Sequence, residues 1–201
     1  MAMDADDYPT DLIKRLLDLL IASAAIALTL PLMLLVSLLI KCDSPGPILD
    51  RQERVGLRGR TFALYKFRSM RHDGEGIPTW AAGRGPGVTR VGRFIRCTRI
   101  DELPQLLNVL RGEMSIVGPR PEDPYIIETL SAAIPFYAER HYVRPGITGW
   151  AQLYAVHGVS IEDVREELGY DLYYVKNRSF LLDVRILIST VCVIFFEEGI
   201  R

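Results

Sequence analysis

The run LLIASAAIALTLPLMLLVSLLI, residues 19 to 40, decides the architecture, because it holds no charged side chain and only three polar ones, Ser23, Thr29 and Ser37. Such a run meets lipid. As a straight helix its 22 residues would reach roughly 33 Å, enough to cross a hydrocarbon core of about 30 Å. Pro31 complicates that reading: it lacks an N–H, removes the bond to the carbonyl of Ala27 and sits near the middle of the run. Broken there, the two arms of about 18 Å and 15 Å are each too short to cross, and the segment would dip into the membrane and return to the same side. Flanking charge leaves both forms open, since Lys14 and Arg15 precede the run and Lys41, Arg51, Arg54 and Arg58 follow it. The acidic start (Asp4, Asp6, Asp7, Asp11) and the lack of a small-residue cleavage site after the run argue against a secretory signal, so the segment is expected to stay on the mature protein.

Working outward, 201 residues suit one domain of ordinary size plus an appendage, and the apolar content of 49% with mean hydropathy +0.14 is high for a soluble protein. A net charge of −1 offers no global field for nucleic acid, so the cations matter only where they cluster. Cys42, Cys97 and Cys192 are odd in number and widely spaced, which fits a reducing compartment rather than a disulfide framework or a thiolate metal site. His72, His141 and His157 sit in no hydrolase or zinc-protease motif, and no phosphate-binding loop or dinucleotide fingerprint occurs.

SPGP, residues 44 to 47, is a turn cluster that ends the apolar helix. Beyond it, RVGLRGRTFALYKFRSM reads as two short strands around a glycine-containing turn, with Lys66 and Arg68 expected on one face. The Gly- and Pro-rich stretch from Gly74 to Gly87 reads as a loop. Thr89 to Arg111 suits helix, provided that Pro104 lies near a helix start. IEDVREELGYDLYYVKNRS reads as an amphipathic helix with a solvated charged face. The segment from Phe180 to Phe196 is a membrane-surface or packed core helix, marginal as a span. The expected fold is therefore α+β: a mostly helical small domain with a short β-hairpin, anchored by an apolar membrane helix interrupted at Pro31 and by surface amphipathic helices. Residues 1–43 are expected to form the membrane segment, and residues 44–201 a cytoplasmic globular domain with interfacial helices.

The chemistry is carried by IRCTRIDELPQ, residues 95 to 105, where a ladder of arginines at 90, 93, 96 and 99 stops on the acidic pair Asp101 and Glu102. A carboxylate at or before a helix start is stabilised by backbone N–H groups and the positive end of the dipole, and the same place welcomes phosphate oxygens. In GPRP, residues 118 to 121, two prolines hold Arg120 in a stiff extended turn, and in VRPG Arg144 precedes Pro145 and Gly146. Rigid arginines suit bidentate contacts to phosphate. An acidic pair, stiffly held cations and a hydrophobic anchor point together to phosphoryl transfer at a membrane interface, in which a carboxylate can serve as nucleophile and a divalent ion can offset diphosphate charge.

YKFRSM (65 to 70), DELPQLLNVLRGEMSIVGPRP (101 to 121), VRPGITGWAQ (143 to 152) and YDLYYVKNRS (170 to 179), in that order, resemble the bacterial sugar transferase family, the small monotopic phosphoglycosyl transferases. The resemblance runs from the hydrophobic segment to near the C-terminus. It implies transfer of a sugar 1-phosphate from a UDP-sugar to a polyprenyl (undecaprenyl) phosphate, with Mg2+, at the cytoplasmic face of the bacterial inner membrane, as the first membrane step of glycoconjugate or exopolysaccharide assembly. It also implies a re-entrant helix broken at Pro31, where Leu30 replaces the Ser of some members and Thr29 would supply the polar contact. Asp101 matches the family nucleophile and Glu102 its acidic partner, which would either hold the magnesium ion together with Asp101 or orient Asp101. Lys66, Arg96, Arg120 and Arg144 match basic positions near the phosphates; Arg90, Arg93 and Arg99 could equally meet lipid headgroups. After WAQ this chain reads LYAVHG instead of the Asn-Gly-Arg-like segment of many members, so the sugar stays open. The implied partners are the UDP-sugar, the polyprenyl phosphate and inner-membrane lipid, without nucleic acid; a homo-oligomer is compatible with the sequence. Two other classes make different products: a membrane-anchored module that binds anionic lipid needs no acidic pair, and a glycosyltransferase would release UDP instead of UMP.

Overall fold

The computed structural model of the chain describes residues 9–71, 87–155 and 160–196. The glycine-rich stretch read as a loop over Gly74–Gly87 lies, apart from its last residue, outside them, as do His72 and His157. The described residues are mostly helical with two short two-stranded sheets, an α+β arrangement.

Helix α1 runs from Pro9 to Asp43 and is long and apolar enough to cross a membrane, with a mean hydropathy of 2.5 in its most apolar window. The interruption expected at Pro31 is not a gap between two helices, because α1 is a single element with the proline inside it. Hydroxyls on either side bond back to the helix: Thr29 Oγ1 donates to Ala25 O and Ser37 Oγ to Met33 O, each at 2.7 Å. Such back-bonding often bends helices. The outer surface of α1 is apolar and bare, with Leu28 82% exposed.

Strands β1 (Leu49–Val55) and β2 (Thr61–Phe67) form the expected hairpin. Because β2 ends at Phe67, the two-residue period does not extend to Arg68. Lys66 turns to Glu102, whereas Arg68, 2% exposed, donates to Pro45 O at 2.7 Å and Ser44 O at 2.6 Å and so satisfies carbonyls just past the end of α1. The segment expected to be helical from Thr89 is divided into α2 (Arg90–Cys97), a single 3-10 turn (Ile100–Glu102) and α3 (Gln105–Arg111). Arg99, held in the left-handed region at φ 56°, makes the corner.

Beyond α3 follow β3 (Ser115–Val117), α4 (Pro124–Ala133), β4 (Gly146–Thr148), α5 (Trp150–Tyr154), α6 (Ile161–Asn177) and α7 (Phe180–Phe196). Strands β3 and β4 pair in parallel, Ser115 against Gly146 and Val117 against Thr148. Helix α6 is less solvated than its charge pattern implies, since it buries Leu168, Asp171 and Tyr174. Helix α7 packs one side inward through Ile186 and leaves Leu181 and Ile188 exposed.

The chain falls into two compact units, each assembled from discontinuous stretches. The first comprises Met1–Ile21, Glu53–Phe62 and Val109–Arg201, the second Ala22–Gln52 and Ala63–Asn108. In the first, the N-terminal part of α1 is held by polar contacts: Arg15 donates to Val109 O and Leu110 O at the end of α3, Lys14 meets Asp183 at 2.7 Å, and Asp18 accepts from Ile116 N–H and Ser115 Oγ. In the second, Val36 and Ile40 from α1 form a core with Phe67 and Ile95, against which Ile100 and Leu103 pack. Asn108 ties α3 to β2 there, accepting from Tyr65 N–H and donating to Ala63 O.

Candidate active site

In the second unit the acidic pair sits on the 3-10 turn between α2 and α3, closed by the bond from Glu102 N–H to Arg99 O. The turn exists because two features meet: Arg99 reverses the chain after α2, and Ile100 and Leu103 anchor the turn in the apolar core. Its two carboxylates are treated unequally. Glu102 Oε1 accepts from Lys66 Nζ at 3.2 Å and Arg99 Nη1 at 3.5 Å. Asp101 is 9% exposed, and its buried Oδ1 has no hydrogen-bond partner among the described residues. Burial, reinforced by the Glu102 charge, pushes the Asp101 carboxyl above the ordinary aspartate range, against the opposing pull of Lys66, Arg96 and Arg99. An orphaned buried carboxylate oxygen is costly to the fold and is the kind of group a reaction or an ion uses.

Arg96, in the last turn of α2, is fixed by Nε donating to Ser69 Oγ at 2.7 Å. Helix α2 itself is seated closely on the strand end: a Cβ at Gly92 would lie 2.0 Å from Ser69 O. The N-terminus of α2 is held by Asp43, which accepts from Val91 N–H, and the Asp43 carboxyl is lowered chiefly by its hydrogen bond with Thr89. Lys66, Arg96, Asp101 and Glu102, four of the residues singled out in the sequence, thus belong to one unit, with Arg99 as a fifth charged group and Ser69 as an unforeseen prop for Arg96.

The same unit carries an open, largely apolar groove of about 750 Å3, walled by Leu30, Met33 and Leu34 of α1 and by Phe67, Pro104 and Leu107. Pro104 is two residues beyond Glu102, and Phe67 directly follows Lys66. Arg51 and Asp50 add charge to its lining.

Arg120 and Arg144 belong to the first unit, where their two proline-bearing motifs lie side by side. Gly118 N–H donates to Thr148 O, Gly146 N–H to Pro119 O and Ser115 N–H to Pro145 O, each at 2.9 Å. The approach requires glycine: a Cβ at Gly118 would lie 2.3 Å from Arg144 O, and one at Gly149 2.2 Å from Gly118 O. Arg144 donates through Nε to Gly112 O at 3.0 Å, past the end of α3. Each motif alone reads as an isolated turn; their union as a parallel ladder depends on pairing across a gap of some thirty residues, which local sequence does not encode.

Among the described residues no three His, Cys, Asp or Glu side chains cluster as a metal cage. The donors that are present, a free Asp101 oxygen beside Glu102, fit an ion that takes one or two carboxylates and completes its shell with water and substrate phosphate, as Mg2+ does.

Comparison with known proteins adds the following. The family model described as bacterial sugar transferase matches residues 9–197. A UDP-N-acetylgalactosamine-undecaprenyl-phosphate N-acetylgalactosaminephosphotransferase of Aeromonas hydrophila is 48% identical over 190 residues, covering 94% of this chain and 45% of the relative. A UDP-glucose:undecaprenyl-phosphate glucose-1-phosphate transferase of Caulobacter vibrioides is 47% identical, covering 90% of this chain and 69% of the relative. An exopolysaccharide production protein of Rhizobium leguminosarum bv. phaseoli is 42% identical, covering 89% of this chain and 93% of the relative. The chain thus spans less than half the length of the Aeromonas protein and nearly all of the Rhizobium one.

Proposed function

The chain belongs to the bacterial sugar transferase family, and from that premise we propose that it is a phosphoglycosyl transferase moving a sugar 1-phosphate from a UDP-sugar to a polyprenyl phosphate. The observation that carries this reading is Asp101, buried with an unpartnered Oδ1 and facing the field of Lys66, Arg96 and Arg99. A carboxylate so placed is a nucleophile kept free of neutralising hydrogen bonds until a phosphate arrives. The names of the relatives, which pair UDP-sugars with undecaprenyl phosphate, support the choice of donor and acceptor.

In this mechanism Asp101 attacks the β-phosphorus of the nucleotide sugar and the bond to the bridging oxygen breaks. UMP leaves with that oxygen, and the sugar phosphate stays on Asp101 as an acyl phosphate. A phosphate oxygen of the polyprenyl acceptor then attacks the same phosphorus and returns the carboxylate. Lys66 and Arg96 bind the phosphate charge, Lys66 exchanging part of its contact with Glu102 for substrate. Arg120 and Arg144 are assigned to phosphate oxygens as rigidly mounted cations. A magnesium ion held by Asp101 and Glu102 would offset the diphosphate charge. Release of UMP, and not UDP, on incubation with UDP-sugar and undecaprenyl phosphate tests the reading against a simple glycosyltransferase; a lipid-binding module would release neither.

The groove beside Pro104 is assigned to the apolar chain of the acceptor, because α1, the lipid-facing helix, supplies one wall. Leu107→Trp should narrow it. The KM for undecaprenyl phosphate is expected to rise about tenfold, roughly 1.4 kcal/mol of binding, while formation of the aspartyl intermediate without acceptor stays unchanged. An unchanged acceptor KM would remove the groove from the reaction.

We place the protein at the cytoplasmic face of the inner membrane with α1 re-entrant. Asp18 is tied to β3, and Ala22 and Val36 are buried, while the arms of the apolar run on either side of Pro31, about 18 Å and 15 Å at the usual rise, are each short of a full crossing. A cysteine introduced at Ala2, with the native cysteines removed, should therefore resist labelling from outside intact cells. Pro31→Ala restores the missing backbone bond and should expose part of the population to label with loss of activity. External labelling of the Pro31 protein would show a spanning helix instead.

A further inference from the structure

We infer that Arg140 is a positioning residue for Arg120, acting through the backbone of the Gly-Pro-Arg-Pro turn; the inference rests on the proposed role of Arg120 at the substrate phosphates. Arg140 is 3% exposed, and its guanidinium is divided among several tasks. Nη1 donates to Tyr137 Oη at 2.7 Å, and Nη2 donates to Arg120 O at 3.2 Å. Nη2 also lies 2.6 Å from Asp171 Oδ2, at an angle that makes the contact an ion pair rather than an aligned hydrogen bond, and 3.9 Å from Glu167 Oε1. Asp171 is itself 1% exposed, so α6 delivers a carboxylate whose evident partner is this cation.

Such a pair is a poor investment for stability alone, because desolvating two charges cancels most of their attraction and apolar residues of similar volume serve as well. What it supplies here is placement. The turn is pinned at successive points, Gly118 N–H to Thr148 O, Gly146 N–H to Pro119 O, Arg140 to Arg120 O, and Val55 N–H to Glu122 O. The first two and the last are backbone bonds; the one at Arg120 is made by a side chain. The flanking prolines restrict the turn's φ angles, and the preceding-proline effect restricts Arg120. The planar fork of Arg140 fixes the remaining freedom, the orientation of the peptide that carries the Arg120 side chain.

The test is a double-mutant cycle read by UMP release at varied UDP-sugar. Arg140→Met alone would leave Asp171 buried and unpaired, so Arg140→Met is combined with Asp171→Leu. This pair is expected to melt within a few degrees of the parent yet lose at least tenfold in kcat/KM, mostly through KM for the UDP-sugar. Placed on Arg120→Ala, the same pair should cost less than twofold further, since the group it positions is gone. A second variant, Arg140→Lys, keeps a charge for Asp171 but cannot reach Tyr137, Asp171 and Arg120 O together. It should lose about fivefold in the parent and nothing in Arg120→Ala. Equal losses in both backgrounds, or parental kinetics in either Arg140 variant, would overturn the inference. If Arg120→Ala itself keeps full kcat/KM while UMP is still released, the role given to Arg120 fails, and this inference with it, while the transferase reading stands.

Discussion

Asp101→Asn is expected to abolish turnover with UDP-sugar and polyprenyl phosphate, by roughly a thousandfold or more, the scale seen when a covalent nucleophile is removed and binding groups remain. The substitution keeps shape and volume but removes the carboxylate proposed as the nucleophile. It should not weaken the fold. Asp101 has a raised folded-state pKa caused first by burial, so as pH rises above the unfolded value the ionised carboxyl costs stability, and at neutral pH that cost is present. A neutral amide relieves it, and the variant should melt at or above the parent temperature, the usual sign of a site where function is held against stability. Substantial turnover in a well-folded Asp101→Asn protein would remove Asp101 from the chemistry.

Gly146→Ala is expected to have the largest effect on stability. A Cβ there would lie 2.1 Å from Gly118 N, 2.5 Å from Thr148 O and 2.7 Å from Gly118 Cα. All three atoms are backbone and belong to the parallel ladder or the turn beside it, so no side chain can swing away. Separating the strands would break the bonds at Ser115, Gly118 and Gly146. A loss of about 3 kcal/mol or more follows from such overpacking, which for a chain of this size lowers the melting temperature by about 10 °C. An unchanged melt would mean that the two motifs separate at little cost.

The parts of this arrangement that were legible in the sequence are those written in local pattern. The uncharged run of α1, the turn at SPGP and the hairpin that carries Lys66 each declare themselves within a few residues, as does the acidic pair before Pro104. What was hidden depends on distant partners. Arg68 looked like a companion to Lys66 but completes hydrogen bonding at the end of α1. Asp171 looked solvated among the charges of α6, because a buried ion pair and an exposed carboxylate have the same local sequence. The helix start expected near Pro104 is there as α3, but the corner before it was hidden, because a left-handed arginine, unlike a glycine, gives no warning. Pro31 marked an interruption that is not there as a gap between helices: α1 runs through it as a single element.

The central claim is that one carboxylate carries the sugar phosphate between donor and acceptor, and mass measurement of the protein with UDP-sugar alone tests it most directly. Without polyprenyl phosphate, the account predicts that each active molecule gains one sugar phosphate, mapped to the peptide containing Asp101, and releases one UMP. The adduct should then disappear on addition of undecaprenyl phosphate. Turnover with acceptor but no adduct and no UMP before the acceptor is added would mean direct transfer, and would contradict the account.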